Sequence, residues 1–186
     1  VAAFLAIQLF AMSSQKSIET YPFKVVKTYD NFEIRNYEAS LFTAVKLSSN
    51  EYSKVSSSGF SILAGYIFGG NETNEKIAMT SPVAMTLEDS ITMMFMVPQK
   101  FNKENLPRPN QSQIEFKEEP AKTVAAIRFG GWVNDEKIEK YKQKLIAELD
   151  KNGIEYTNRF YLLGYNPPYE ILNRKNEIIV ELKSEV

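Results

Sequence analysis

The two halves of this chain predict the same order of secondary structure. In each half, alternating or β-rich segments predict two strands, an apolar stripe with a helical period predicts one helix, and two further strands follow. The predicted helices are Tyr52 to Phe68 and Asp135 to Lys151. The predicted strands are 32–37, 41–47, 77–87 with an interruption at Pro82, 91–97, 114–117, 123–129, 160–165 and 177–182. This repeated order favours an internal duplication.

An ungapped alignment of the chain with itself supports the duplication. A single shift places Glu33 on Glu115, Ile34 on Phe116, Ala39 on Ala121, Val45 on Ile127, Lys46 on Arg128 and Leu47 on Phe129. Two apolar strands can match by chance, so the shared element order carries the argument. Repeat halves of about 22–98 and 112–183 pack most simply as one curved sheet with both helices outside it or across one face, which is an α+β fold. The seam between the halves is then the natural concave site.

Composition narrows the classes of function. At 186 residues and 44% hydrophobic content, the chain suits a single domain, 18–186, with a short segment in front of it. It contains no His and no Cys, which excludes Ser–His and Cys–His catalysis and zinc sites of the usual ligand set. Its 22 basic and 23 acidic residues give no electrostatic reason to expect nucleic acid as a partner. We therefore predict a chain with no catalytic residues and no metal site.

The N-terminal stretch 1–17 forms a separate segment. An apolar run from Val1 to Ala11, followed by Ser13 and Ser14, has the length of a signal-peptide core and is too short to span a bilayer. It predicts an exported, periplasmic or envelope-associated protein, with peripheral membrane association through this segment. The alternative is a short amphipathic or core-docking helix, in which case the protein is cytoplasmic.

Several short motifs, taken in order, resemble the signature of the SOUL family of haem-binding proteins from about Tyr21 to Leu182. They are YDNFEIR at 29–35, LAGYIFGGN at 63–71, KIAMTSPV at 76–83, VAAIRF at 124–129, GYNPP at 164–168 and RKNE at 174–177. The resemblance implies a twisted antiparallel β-barrel-like sheet flanked by two main helices, built from a repeat similar to that of gyrase-inhibitor-like small-molecule binders. It also implies reversible, non-enzymatic binding of haem or another tetrapyrrole.

A porphyrin needs an apolar slot for its face and cations for its propionates. On the first helix and the strands after it, the candidates for the slot are Phe60, Leu63, Ala64, Ile67, Met79 and Met85. The candidate propionate partners are Lys54, Lys76, Arg128 and Arg174. Trp132 follows Gly130-Gly131 and could either stack on a ligand at the mouth of a groove or cap the second helix.

Ligation of haem iron has few options in this chain. Without His or Cys, the iron is held by a Met thioether, a Tyr phenolate, a Lys amine or no protein group at all, so we expect moderate, reversible haem binding. The structural alternative is that the methionines fill the core. On the strand at 91–97, Met94 and Met96 share one face, while Met93 joins Ile91, Phe95 and Val97 on the other.

The leading hypothesis is therefore a monomeric, non-enzymatic carrier, buffer or sensor of haem or a similar planar apolar molecule. One alternative is a weak hydrolase of the gyrase-inhibitor-like type, with Tyr66, Glu170 and Glu181 as acid–base candidates. The other is a protein-interaction module, whose groove takes an amphipathic helix from a partner or the chain's own apolar N-terminus.

Overall fold

The computed structural model describes residues 18–167, 170 and 172–183. The predictions made for the segment 1–17, whether export signal, membrane anchor, helix or groove plug, lie outside these residues and stay predictions. Pro168 of the GYNPP motif also lies outside them. No helix of the described part of the chain is long and apolar enough to span a bilayer.

Within the described residues, nine antiparallel strands form one curled half-barrel sheet, and two helices accompany it. The strands are β1 (Phe23–Thr28), β2 (Glu33–Tyr37), β3 (Ser40–Lys46), β4 (Val83–Thr86), β5 (Thr92–Met96), β6 (Ile114–Glu119), β7 (Lys122–Gly130), β8 (Tyr156–Gly164) and β9 (Lys175–Leu182). The helices are α1 (Tyr52–Ile67) and α2 (Asp135–Lys151). The strands follow one another across the sheet in the order β1-β2-β7-β9-β8-β4-β5-β3-β6. The predicted α+β class with a barrel-like sheet is confirmed.

The strand pairing contains the predicted duplication. The counterparts in the two halves are β2 and β6, β3 and β7, β4 and β8, and β5 and β9. Apart from β1, exchanging each strand for its counterpart gives the same strand order, read from the other end of the sheet. The register agrees as well: Glu33 of β2 pairs with Ala126 of β7, and Ala44 of β3 pairs with Glu115 of β6. The shift that places Glu33 on Glu115 also places Ala44 on Ala126, so the two pairs are equivalent. The halves also pair at the seam between β4 and β8, where Met85 lies opposite Leu162.

Two separate cores lie on the two faces of the sheet. Both helices pack on one face, where Leu63 of α1 and Leu145 of α2 are fully buried. On the opposite, concave face the described residues include no helix, and the core there is built from strand residues and Tyr21. The predicted alternation of β5 is confirmed, because Met93 belongs to the helix-side core and Met94 and Met96 to the concave one.

The concave face also holds a buried ion pair. Arg35 donates from its two terminal nitrogens to the carboxylate of Glu177 at 2.8 and 3.1 Å, and the Tyr165 hydroxyl donates to the same carboxylate at 2.6 Å. Burial alone would raise the pKa of Glu177, but hydrogen bonds from Arg35 and Tyr165 and the charges of Arg35 and Lys175 outweigh it, so the pKa is lowered. Glu177 is therefore an ionised structural group whose acceptors are already bonded.

The helix boundaries follow local signals. At the end of α1, Gly69 has a positive φ of 111°, and a Cβ on Gly70 would lie 2.6 Å from the carbonyl oxygen of Gly65. Glycine is needed at both positions, and α1 ends just before this pair, within one residue of its predicted end at Phe68. For α2, the Asn134 side chain caps the helix by accepting from the backbone N–H of Lys137 at 2.8 Å.

The predicted strand at 77–87 is wrong over its first half. Only Val83–Thr86 forms a strand, while the chain from Ile77 to Thr80 is held by isolated bonds. The Ile77 N–H donates to the carbonyl of Ile67, and the Thr80 hydroxyl donates to that of Met96. The pattern also gave no sign of β1, whose largely exposed sequence FKVVKT lacks an alternating apolar face.

Candidate functional site

A cleft of about 420 Å³ opens on the helix-bearing face, above the seam between the two halves. Its walls come from the N-terminal part of α1, the segment before α2 and the connection from β8 to β9. Its lining residues are Tyr52, Ser56, Ser57, Phe60, Ser61, Val83, Met85, Met93, Trp132, Val133, Leu162, Gly164, Asn166, Arg174 and Asn176. The volume lies in the range of small-molecule sites.

The floor of the cleft is apolar and rich in sulfur. Met85 of β4 and Met93 of β5 are direct cross-strand partners, and Leu162 of β8 lies on the other side of Met85. Phe60 of α1 stands beside them, with its ring centroid 5.3 Å from that of Phe95. A Cβ placed on Gly164 would have no neighbouring atom within 4 Å, so the floor is open at that point of β8. A flat apolar group finds contact area here without moving the sheet.

One wall of the cleft is polar. Ser56, Ser57 and Ser61 of α1 line it. On the other side, the Asn176 amide donates to the carbonyl of Gly131 at 2.9 Å. Tyr52 also lines the cleft. Burial raises the pKa of Tyr52, and a hydrogen bond with Ser56 and the charge of Arg174 lower it by less. Tyr52 is therefore a neutral phenol at physiological pH.

Arg174 and Trp132 form the mouth of the cleft. The guanidinium carbon lies 4.2 Å from the centroid of the Trp132 ring, which is a cation–π contact. One terminal nitrogen of Arg174 donates to the carbonyls of Pro167 and Glu170 at 3.1 and 2.6 Å. Its Nε is buried and has no hydrogen-bond partner among the described residues. The bonded carbonyls carry no net charge, so the positive charge of Arg174 remains available to an anionic ligand.

Asp135 joins the two helices beside the cleft. Its carboxylate accepts from the backbone N–H of Tyr52 at 2.6 Å and of Ser53 at 3.2 Å, so the first residue of α2 caps the N-terminus of α1. Desolvation would raise the pKa of Asp135, but hydrogen bonds from Ser53 and Tyr52 outweigh it and lower the pKa. Asp135 is a structural carboxylate that fixes where the Tyr52 end of the cleft lies.

Four of the eleven candidate binding residues meet in the cleft: Phe60, Met85, Trp132 and Arg174. Lys54 is exposed and pairs with Glu51 outside the cleft. Leu63, Ala64 and Ile67 are buried in the core. Lys76 is exposed and Met79 half-buried, both in the segment after α1 and outside the cleft. Arg128 lies in a neighbouring hollow that it shares with Arg174. Of the two roles foreseen for Trp132, the structure places it at the mouth of the cleft, since Asn134 caps the helix.

The sequence was compared with known proteins. The family model described as SOUL heme-binding protein matches residues 18–181. This chain belongs to the SOUL heme-binding protein family. Its similar relatives include Heme-binding protein 2 of Homo sapiens, 30% identical over 83% of this chain and 80% of the relative, and Heme-binding protein 2 of Mus musculus, 27% identical over 93% and 90%. Heme-binding protein 1 of Xenopus laevis is 26% identical over 79% of this chain and 81% of the relative.

Solved structures share the fold of this SOUL protein. The EcmrR C-terminal domain superposes with a TM-score of 0.66 at 13% identity, over 83% of this chain and 98% of that domain. A structure titled as a hydrolase from Listeria innocua superposes with a TM-score of 0.54 at 10% identity, over 82% of this chain and 92% of that one. At these identities the likeness concerns the architecture alone.

The three acid–base candidates of the hydrolase hypothesis do not come together in the SOUL protein. The Tyr66 hydroxyl donates to the carbonyl of Pro107 at 2.7 Å, near the far end of α1. Glu181 accepts from Tyr161 and Lys122 within the concave face, on the other side of the sheet. Glu170 is buried in the connection between β8 and β9, and its carbonyl accepts from Arg174. No cluster of acidic side chains suited to a metal ion occurs among the described residues.

Sequence reasoning missed most of the polar lining of the SOUL cleft. In the sequence, Ser56, Ser57 and Ser61 have the pattern of the solvent-facing side of an amphipathic helix. They line the cleft because the floor beside them, formed by β4 and β8, is open. For Met93 the sequence offers core filling as the alternative to a ligand role, and the structure places it in both the core and the cleft floor. The one available signal was the duplication, which predicted a site at the seam.

Proposed function

We propose that this SOUL protein binds haem or another tetrapyrrole non-covalently in the cleft between α1 and the sheet. The observation that carries the proposal is an apolar, thioether-containing floor combined with Arg174, the one cation among the described residues that line the cleft, beside the aromatic ring of Trp132. A porphyrin has these two needs: a surface for its face and a positive group for a propionate. The names of the relatives, which are heme-binding proteins, support the same ligand class.

The residues of the cleft fit such a ligand. Phe60, Met85 and Leu162 would contact the macrocycle, and Trp132 would cover its edge at the mouth. The Arg174 guanidinium has a buried Nε with no described partner and is bonded otherwise to neutral carbonyls, so it would hold a carboxylate. Ser56, Ser57 and Ser61 on α1, and Asn176 on the other side of the cleft, would form hydrogen bonds with a polar edge of the ligand.

The donor set predicts how strongly iron would be held. Met85 and Met93 offer thioethers and Tyr52 a phenol, whose burial raises its pKa and disfavours the phenolate that iron prefers. Bound haem would supply iron and a planar chromophore, while the protein would contribute the slot and one charge. Affinity of this kind is reversible, which suits a carrier, buffer or sensor better than a permanent haem enzyme.

Hemin titration tests the proposal. With a chain starting at residue 18, so that the first segment cannot fill the cleft, micromolar hemin should shift the Soret band and quench the fluorescence of Trp132, the only tryptophan. Serum albumin serves as the positive control. An unchanged spectrum at micromolar hemin would reject the proposal.

A filled cleft provides the matched control. Gly164→Leu places a side chain into the open floor of β8, whereas Gly164→Ala adds a single methyl at the same position. The leucine variant should lose hemin binding by at least tenfold, and the alanine variant should retain most of it. Equal binding by both folded variants would place the hemin elsewhere on the protein.

A further inference from the structure

The mouth of the cleft combines exposed apolar side chains with positive charges. Trp132 is 55% exposed and Leu172 is 53% exposed, although both are large hydrophobic residues. Leu172 shortly precedes Arg174, whose guanidinium stacks on Trp132. Both hydrophobic side chains therefore stand on the two connections that frame the mouth. Two large apolar side chains are thus exposed to solvent on the chain segments that flank Arg174 and the cleft.

Arg174 and Lys137 lie beside Trp132, and Arg128 lies beside Arg174. Arg128 is exposed and lines a hollow with Gly130, Gly131 and Arg174. The Lys137 ammonium lies on the other side of the glycine turn, where it donates to the carbonyls of Gly130 and Trp132 at 3.0 and 3.2 Å. These acceptors are uncharged, so Lys137 keeps its positive charge. We call the set of Arg128, Trp132, Lys137, Leu172 and Arg174 the rim.

We propose that the rim docks this protein on an anionic lipid bilayer, with Trp132 and Leu172 entering the headgroup region. Tryptophan is favoured at the boundary between headgroups and acyl chains, and lysine and arginine next to it bind acidic headgroups. The overall net charge of −1 gives no general attraction to such a surface, so the attraction is local to the rim.

Docking in this orientation would turn the cleft toward the bilayer. A planar apolar ligand dissolved among the acyl chains could then enter or leave without crossing water. This consequence rests on the proposed function, but the docking itself does not depend on what the cleft binds. The two proposals can therefore fail separately.

A second surface provides the matched control. Strand β1 exposes Val25 and Val26, at 50% and 45%, between Lys24 and Lys27 at the edge of the sheet. Two double variants remove the same charge from two different surfaces. One is Lys24→Gln/Lys27→Gln on β1, and the other is Arg128→Gln/Lys137→Gln on the rim. Arg174 is left unchanged in both, because it belongs to the cleft.

The experiment is co-sedimentation of the full chain with vesicles of phosphatidylcholine alone or with 30 mol% phosphatidylglycerol, in the absence of hemin. We expect binding to the anionic vesicles that weakens with salt and a blue shift of Trp132 fluorescence, with quenching by brominated acyl chains. Each cation near an anionic surface contributes about fivefold in partitioning, so Arg128→Gln/Lys137→Gln should lose roughly 25-fold. Leu172→Ser should weaken binding without changing its salt dependence, while the β1 variant should bind like the unchanged protein.

Three outcomes would overturn the proposal. Equal binding to neutral vesicles would exclude the electrostatic part. Binding with an unshifted Trp132 would mean that another surface, such as the N-terminal segment, carries the attachment. A larger loss in Lys24→Gln/Lys27→Gln than in the rim variant would assign the contact to β1. Thermal unfolding of each variant shows whether it is folded. Glu136→Gln removes an exposed negative charge next to Lys137, so it should strengthen binding if the rim is the contact.

Discussion

Arg174 uses its donors unevenly. Its terminal nitrogens hold the backbone carbonyls of the connection between β8 and β9, while its Nε has no described partner and its face is covered by Trp132. The side chain is thus fixed in place before any ligand arrives. A cation fixed in this way loses little conformational entropy when it binds a carboxylate.

Replacing Arg174 by methionine should lower the affinity for hemin by roughly ten- to a hundredfold, since a hydrogen bond to a charged group contributes about 1.5–3 kcal/mol. Lys76→Met, which removes an equal charge from the exposed segment after α1, should leave the affinity unchanged. Both are measured by Soret titration. Protoporphyrin dimethyl ester, which has no free carboxylate, should bind both variants alike.

The opposite result would have a clear meaning. If Arg174→Met weakens the ester as much as hemin, then Arg174 acts by shaping the loop and not by binding a carboxylate. Circular dichroism and thermal unfolding separate that case from loss of the fold, because Arg174 also supports the carbonyls of Pro167 and Glu170.

The predicted binding residues show where sequence reasoning stops at this scale. Phe60 and Ile67 lie on nearly the same side of α1, but two helical turns separate them by about 10 Å along the axis. The cleft covers only the N-terminal part of the helix, so Phe60 lines it and Ile67 does not. Periodicity identifies the side of a helix, whereas the length of the neighbouring strands decides which turn faces open space.

At the scale of elements, the last turn of α1 is defined by a close backbone approach. The Gly70 N–H donates to the Gly65 carbonyl at 2.9 Å, and the chain then turns back so that Ile77 can donate to Ile67. The two glycines of this contact have different surroundings. A Cβ on Gly65 would meet only the Gln111 side chain, at 3.9 Å, whereas a Cβ on Gly70 would lie 2.6 Å from backbone.

Gly70→Ala should therefore destabilise the protein by about 1–3 kcal/mol, the usual cost of forcing atoms into occupied space. Gly65→Ala should stabilise it by about 0.5–1 kcal/mol, because alanine is the better helix former and the site is exposed. Both changes restrict the unfolded chain equally, so the difference reports the folded state. Urea unfolding measures the two values; the same sign for both would contradict the close approach.

Element boundaries could be predicted where local chemistry sets them. Helix α2 begins after its Asn134 cap and ends before Asn152-Gly153, and the sequence indicated both limits. The strand at 77–87 could not be resolved in this way, because the bonds that keep Ile77 to Thr80 out of the sheet come from Ile67 and Met96. Strand β1 was missed for a related reason: it is an edge strand that depends on β2 for its pairing.

At the scale of the whole molecule, the two halves exchange their first strands. Strand β2 pairs with β7 of the other half, and β3 pairs with β6, while β4 and β8 join the halves at the seam. The sequence predicted the repeat, and the curved sheet and helix placement followed from it. It could not predict the exchange, because β2 could equally have paired with the adjacent β3 through the short connection at Glu38 and Ala39.

The exchange predicts how one half behaves alone. A fragment of residues 18–110 keeps β1 to β5 and α1 but loses β6, β7 and β8, which pair with β3, β2 and β4. As a monomer it would leave three strand edges unpaired and the seam exposed. A second copy can replace the missing partners, since β3 of one copy stands where β7 stands in the intact chain.

We therefore expect the fragment to be unfolded at low micromolar concentration and to fold only as a symmetric dimer as the concentration rises. Sedimentation equilibrium combined with circular dichroism follows both events on the same samples, with the chain from residue 18 as the reference. Glu33 gives a check on the pairing, because its register partner in the intact chain, Ala126, corresponds to Ala44 of the second copy. A disulfide between Glu33→Cys and Ala44→Cys should then link two fragments and never close within one. A folded monomeric fragment would show that each half can pair β2 with its own β3, and the exchange would not be what joins the two halves into one domain.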